Sequence, residues 1–122
     1  MTKTKTKEEL IKLLKTDIEE FNKYRKDMDY ASIDFYGVDF RGFNLCNVDF
    51  RNVDLRSTDF SNVDLNGANL NWANLCCSTL INTKFLDAHV LGTNFLGAKI
   101  SNKKQEAKII ASLYLQRGDY QE

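Results

Sequence analysis

Between Ile33 and Asn102 every fifth residue is large and apolar, and that spacing constrains the fold more than any other feature. The series runs Phe35, Phe40, Leu45, Phe50, Leu55, Phe60, Leu65, Leu70, Leu75, Leu80, Phe85, Val90, Phe95 and Ile100. A smaller or branched residue lies two places before each, and Asp or Asn usually lies directly before it. Fourteen five-residue blocks therefore follow one another without insertion, and Met28-Asp29-Tyr30-Ala31-Ser32 fits the template as a fifteenth. A helix needs apolar spacing near 3.6 residues and a half-buried strand needs alternation. A period of five suits neither. It suits a chain that turns a corner every five residues, with about twenty residues per coil and successive coils ~4.8 Å apart. The central residue and the one two before it then point inward, and the other three face outward.

The blocks VDFRG at 38–42, VDLRS at 53–57, VDLNG at 63–67, ANLNW at 68–72 and ANLCC at 73–77 resemble the A-[D/N]-L-x-x units of the pentapeptide-repeat family. The resemblance implies an all-β solenoid, a right-handed quadrilateral β-helix of about 3.5 coils. Departures from that pattern are concentrated in two places. The inner corner position holds Ile33, Val38, Phe43, Val48, Val53 and Val63 where the family favours Ala, and bulky Phe43 is expected to distort its corner. The later blocks STLIN, TKFLD and AHVLG lose the Asp or Asn.

A chain of 122 residues, 43% hydrophobic, suits one domain. Residues 1–27 read as a tail and capping helix, 28–102 as the repeat, and 103–122 as a second amphipathic helix and tail. No apolar run is long enough to span a membrane, and the basic start lacks a signal-peptide core, so a cytoplasmic protein without membrane contact is expected. Cys46, Cys76 and Cys77 all occupy outward positions at no metal-ligand spacing, which leaves reduced thiols as the expectation. Pro is absent, which keeps every backbone donor available to the ladder between coils.

A solenoid leaves an unpaired edge and an open core at each end, so both ends need closing segments. Thr6-Lys7-Glu8-Glu9 reads as a capping box, and Leu10, Ile11, Leu14, Ile18 and Phe21 follow on one face of a helix expected over Lys7–Lys26. Asn102 and Gln105 suggest a second cap, with Ala107, Ile110, Leu113 and Tyr114 as the apolar stripe and Gly118 as the stop. That stripe serves equally as a lid or as a homodimer contact.

A twenty-residue coil stacks the outward residues in columns. Asp34, Asp54, Asn74 and Asn94 form one; Asp39, Asp59, Thr79 and Lys99 the next; Asn44, Asp64 and Lys84 the third; Asp49, Asn69 and His89 the fourth. Six aspartates (Asp34, Asp39, Asp49, Asp54, Asp59 and Asp64) face only Arg41, Arg51 and Arg56 in the first half, a net of minus three. The resemblance implies a use for them, because some family members imitate B-form DNA and block or protect DNA-handling enzymes of the gyrase and topoisomerase type. A nucleic-acid-targeting defence complex is a target of the same kind. Regular carboxylates on a rigid rod can enter grooves built for phosphates. The rod is only ~17 Å long, about five base pairs carrying about ten charges, so a solvated, solubilising acidic face is the competing account.

The position after the central residue turns apolar in four consecutive blocks, at Ile81, Leu86, Leu91 and Leu96, with outward Trp72 just before them. A ring of this kind marks a contact with a protein partner or a second copy, unless the C-terminal helix folds over part of it. Catalysis has no support, since the single His89 has no relay partner placed beside it by the stacking. Aligned pairs such as Asp34/Asp54 are too few and too open for a metal site, no cofactor is implied, and net charge zero without a basic stripe argues against direct nucleic-acid binding. The expectation is a non-enzymatic protein-binding module. It acts either through the Asp columns on a DNA-handling protein, or through the apolar ring as an assembly scaffold.

Overall fold

The computed structural model describes residues 3–101 together with Ala107 and Ile109. Parallel bridges join Asp34 to Asp54, Asp39 to Asp59, Asn44 to Asp64 and Asp49 to Asn69, and continue through Asp54–Asn74, Asp59–Thr79, Asp64–Lys84, Asn69–His89 and Asn74–Asn94. The pairing of Thr79–Leu80 with Lys99–Ile100 adds the last register, Thr79 on Lys99. Each coil therefore takes twenty residues and makes four turns, and the four outward columns are those expected from the period. Chain order and spatial order coincide, so the molecule is a stack of coils.

In a regular interior block every backbone N–H has a defined destination, which is the physical reason the period is five. In the block 68–72, Ala68 N–H closes the turn onto Leu65 C=O at 3.0 Å. Asn69 N–H reaches back to Val48 C=O in the preceding coil at 2.9 Å. Leu70 and Trp72 N–H reach forward to His89 and Leu91 C=O in the next, both at 2.8 Å. The remaining donor, Asn71 N–H, is taken by the Asn69 side chain at 3.0 Å. Asp or Asn before the central residue is thus a turn lock, with its side-chain oxygen accepting from the amide two residues on. Proline at any of these positions would delete a bond.

The second turn residue of each block from 33–37 to 93–97 lies at positive φ, from 57° at Ser57 to 85° at Gly42. Gly, Asn, Asp and Ser fill most of these positions, the residue types that tolerate the left-handed region. Trp72 (φ 64°) and Cys77 (φ 64°) are the exceptions.

The core is the stack of central residues, and Phe35 through Leu80 in that series are fully buried. Phe40 and Phe60 stack face to face at 4.9 Å and 7°. Phe85, Phe95 and Ile100 at the other end are half-buried. Phe43 keeps its turn bond to Phe40 C=O at 3.1 Å, the same as at Val48, with its ring edge-on to Phe40 and covered by the Lys15 ammonium. The ladder beside it is disturbed as expected: Asp64 N–H does not bond Phe43 C=O as Asp59 and Asn69 bond Val38 and Val48, and Leu45 N–H reaches Asp64 C=O at 3.2 Å where Phe40 N–H reaches Asp59 C=O at 2.9 Å.

The N-terminal segment is two helices where one was expected. The first, α1 (Lys7–Thr16), begins with the anticipated capping box, and the second is α2 (Ile18–Asp27). Asp17 breaks them apart. Its backbone leaves the helical region and its carboxylate caps α2 by accepting from Glu20 N–H at 3.0 Å. The break lets both helices lay apolar faces on the first coil, with Leu10 and Leu14 from α1, and Phe21 against Phe35 and Phe50 from α2. The block 28–32 is not a fifteenth rung. Asp29 and Tyr30 both take positive φ, and Tyr30 N–H returns to Arg25 C=O.

Two side chains of α2 replace the missing rung at the exposed edge. Asn22 accepts Asp49 N–H at 2.8 Å, as the carbonyl of a further coil would, and donates from Nδ2 to Asn47 C=O at 2.9 Å. The buried Arg25 guanidinium donates to the carbonyls of Arg51, Tyr30 and Ala31. At Asp49 and Arg51 the edge, which would otherwise invite pairing with another chain, is closed. Ala107 and Ile109 are helical and Ile109 is buried; Ile110, Leu113, Tyr114 and the expected Gly118 stop lie outside the described residues.

Candidate functional site

The acidic columns are built as expected, but half of their charge is neutralised within the rod by three arginines. Asp39, Asp49 and Asp54 each lock a turn and each pair with the arginine two residues on. The distances are 2.8 Å to Arg41, 2.7 Å to Arg51 and 2.9 Å to Arg56. All three pairs are two-pronged, through Nε and Nη2. Hydrogen bonds from the Arg41 side chain and amide hold the Asp39 carboxyl down at about 2. The Arg56 guanidinium lowers that of Asp54. The arginines are also held from outside, Arg51 by the Tyr30 ring at 3.6 Å and Arg56 by the Tyr36 ring at 5.3 Å. Arg41 Nε further reaches Asp59 in the next coil at 3.5 Å. Asp34 and Asp64 are left without an ion pair among the described residues, and both spend one oxygen on a turn.

The C-terminal half of the rod has a different surface. Leu86 and Leu96 are 66% and 73% exposed and Trp72 is 63% exposed, whereas Ile81 and Leu91 are half-buried. The carbonyls of Ile81, Leu86, Leu91 and Leu96 accept from Asn62, Gly67, Trp72 and Cys77 respectively, so one apolar residue sits at each of the four corners of one coil. The expected ring exists at backbone level, but it is not a uniform belt. Its continuous part lies around the Asn74–Asn94 column, where Trp72 and Leu91 occupy one corner and Cys76, Cys77 and Leu96 the other. None of these residues is charged. One coil earlier the same column carries Asp54 between Arg51 and Arg56, so the rod changes from salt-bridged to neutral along one face.

Trp72 is placed with unusual definition for an exposed residue. Its amide donates to Leu91 C=O at 2.8 Å and its ring lies on Gly92, where an added β-carbon would stand 2.2 Å from Cε3. The positive φ of Trp72 was missed in the sequence. The signal available was that the Trp72 position holds Gly or Asn in most other blocks.

Loss of Asp or Asn in the later blocks is compensated from the preceding coil. Lys84 and His89 cannot lock their own turns, and the Leu86 and Leu91 amides are instead taken by Asn66 and Asn71 Oδ1, both at 2.8 Å. His89 is exposed beside Asn69 in its column. Among the described residues no group of three or more His, Cys, Asp or Glu could hold a metal ion, and no helix is long and apolar enough to cross a membrane.

A family model described as pentapeptide repeats matches residues 33–71 and 64–102, with eight copies. The chain belongs to the pentapeptide-repeat family. A solved pentapeptide-repeat protein from the thylakoid lumen of Arabidopsis thaliana is similar at 22% identity, over 66% of this chain and 76% of that one, with a TM-score of 0.29. No curated protein matches the chain. Membership accounts for the β-helical solenoid, and proteins of this repeat are generally non-enzymatic.

Proposed function

We propose that this pentapeptide-repeat protein is a non-catalytic binding module whose contact surface is the neutral face around Trp72, Leu91 and Leu96. One observation carries the reading. A tryptophan stands 63% exposed at a positive φ that costs a non-glycine residue about 1–2 kcal/mol. Strain held at an exposed aromatic anchor is what a contact site would retain. The reading takes the coil to be right-handed, as in the family, and takes the segment beyond Ser101 to close the far end or to join two copies through Ile110, Leu113 and Tyr114.

Blockade of a DNA-handling protein through the Asp columns is the second reading, and the regular column spacing favours it. The Arg41, Arg51 and Arg56 pairs weaken it, because a carboxylate already bonded to a guanidinium offers little to a basic groove. Two variants separate the readings without disturbing the fold. Trp72→Asn puts a residue common at this turn position in place of the indole. The quadruple change of Asp34, Asp39, Asp54 and Asp59 to Asn keeps the turn locks and removes the charge together with the ion pairs to Arg41 and Arg56. Tagged wild-type and variant proteins are used to capture partners from host lysate, with and without excess duplex DNA. Loss of a specific partner with Trp72→Asn alone supports the scaffold reading. Loss with the Asn quadruple, together with displacement by DNA, overturns it in favour of mimicry.

A further inference from the structure

Cys76 and Cys77 are adjacent in sequence and their sulfurs stand 3.2 Å apart on a solvent-facing corner. The backbone beneath them is pinned on three sides. Cys76 N–H is held by Asn74 Oδ1 at 3.0 Å, Cys76 C=O accepts Ser57 N–H at 3.0 Å, and Cys77 N–H reaches Leu96 C=O at 2.9 Å. Gly97 lies directly below, with room for a β-carbon only 3.3 Å from the Cys77 sulfur. The two thiols are therefore presented together by a rigid turn. Contact with the Cys77 sulfur raises the Cys76 thiol, and Arg56 one coil earlier opposes that rise through its charge.

Geometry decides what such a pair can take. Neighbouring α-carbons across a trans peptide are about 3.8 Å apart, short of the roughly 4.4–6.8 Å of ordinary disulfides, so the pair resists direct closure. A four-coordinate zinc site needs further ligands, and the described residues supply no third one. An ion bound in line between two sulfurs would hold them about 4.6 Å apart, taking ~2.3 Å for each metal–sulfur bond. A pyramidal trivalent centre with sulfurs near right angles needs roughly 3.3 Å on the same bond length, which matches the observed separation.

We infer that Cys76 and Cys77 form a two-sulfur site for thiophilic trivalent centres, with arsenic(III) compounds as the chemical class that fits. The step balances without an oxidant. Two S–H bonds break, two As–S bonds form, the two protons leave with the arsenical oxygen as water, and arsenic stays trivalent.

The test uses the reduced full chain with phenylarsine oxide as the probe. Intact mass and titration of free thiols are read before and after challenge with excess monothiol. Wild type and Cys46→Ser are expected to bind one arsenical, lose two thiols, and resist the monothiol until a small dithiol is added. Cys76→Ser and Cys77→Ser should hold the probe about a hundredfold more weakly, since the second bond is made within one molecule at high effective concentration. Both variants are expected to fold, because Ser57 already occupies the position equivalent to Cys77 one coil earlier at φ 57° and Ser61 holds, in block 58–62, the place that Cys76 holds in its own, and circular dichroism checks this. Equal retention by either single variant, loss of only one thiol, or loss of binding in Cys46→Ser would overturn the assignment.

Discussion

The indole of Trp72 rests on Gly92 one coil later, and the two positions define each other. A β-carbon at 92 would stand 2.2 Å from Trp72 Cε3 and 2.3 Å from Cζ3, and Gly92 also holds φ 68°. Gly92→Ala therefore combines a left-handed backbone cost of about 1–2 kcal/mol with displacement of the ring. In a Trp72→Asn background only the backbone cost should remain. Thermal unfolding of the four members of this cycle measures the coupling, and strict additivity would show that the ring does not occupy Gly92.

Asn71 supports a turn that is not its own. Its Oδ1 accepts Leu91 N–H at 2.8 Å while His89 occupies the usual locking position. Asn71→Ala is expected to cost about 1 kcal/mol, the ordinary net worth of such a bond. The double change Asn71→Ala with His89→Asn should recover most of it, because an asparagine side chain at position 89 locks the turn locally. Chemical denaturation gives both values.

Arg25 closes the N-terminal edge from a fully buried position, donating to carbonyls of residues 30, 31 and 51. Arg25→Met keeps the apolar stem but orphans those acceptors, at about 1–3 kcal/mol for a buried group left unsatisfied. The expected result is a lower Tm and faster amide exchange in the first coil, with the later coils unaffected. Uniform loss of protection along the rod would contradict an edge-sealing role.

The Asp39–Arg41 pair carries a pH signature. Asp39 sits at about 2 against an ordinary value of 3.8. A lowered folded-state value means that the pair's contribution is present above the unfolded value near 3.8 and is lost as pH falls through about 2. Arg41→Gln should return Asp39 toward the ordinary carboxylate range. Carboxyl-carbon NMR titration of both proteins reads the shift directly.

Ser78 Oγ is buried with no hydrogen-bond partner among the described residues. Ser78→Ala puts the family's usual inner residue in its place and removes the desolvated hydroxyl. It is expected to raise stability by about 1 kcal/mol, and a fall in Tm would show that the hydroxyl has a partner.

The five-residue period by itself determined the coil, its twenty-residue register, the buried series from Phe35 to Leu80 and the composition of all four columns. It could do so because each block directs its backbone donors to the same places in its turn and in the adjacent coils and repeats the same inward pair, so contacts follow from position in the repeat. The tertiary structure alone decided everything that depends on which side chain meets which. The sequence sets Arg41, Arg51 and Arg56 among the aspartates, but that each folds back on Asp39, Asp49 or Asp54 as a two-pronged pair is a choice of rotamer that no periodicity encodes. Asn22 and Arg25 look like ordinary helix residues, and become a substitute rung only because Asp17 breaks the helix and turns α2 onto the coil. Trp72, Gly92 and the paired thiols of Cys76 and Cys77 acquire meaning in the same way, since a corner's backbone angles and its neighbour one coil away are fixed by stacking.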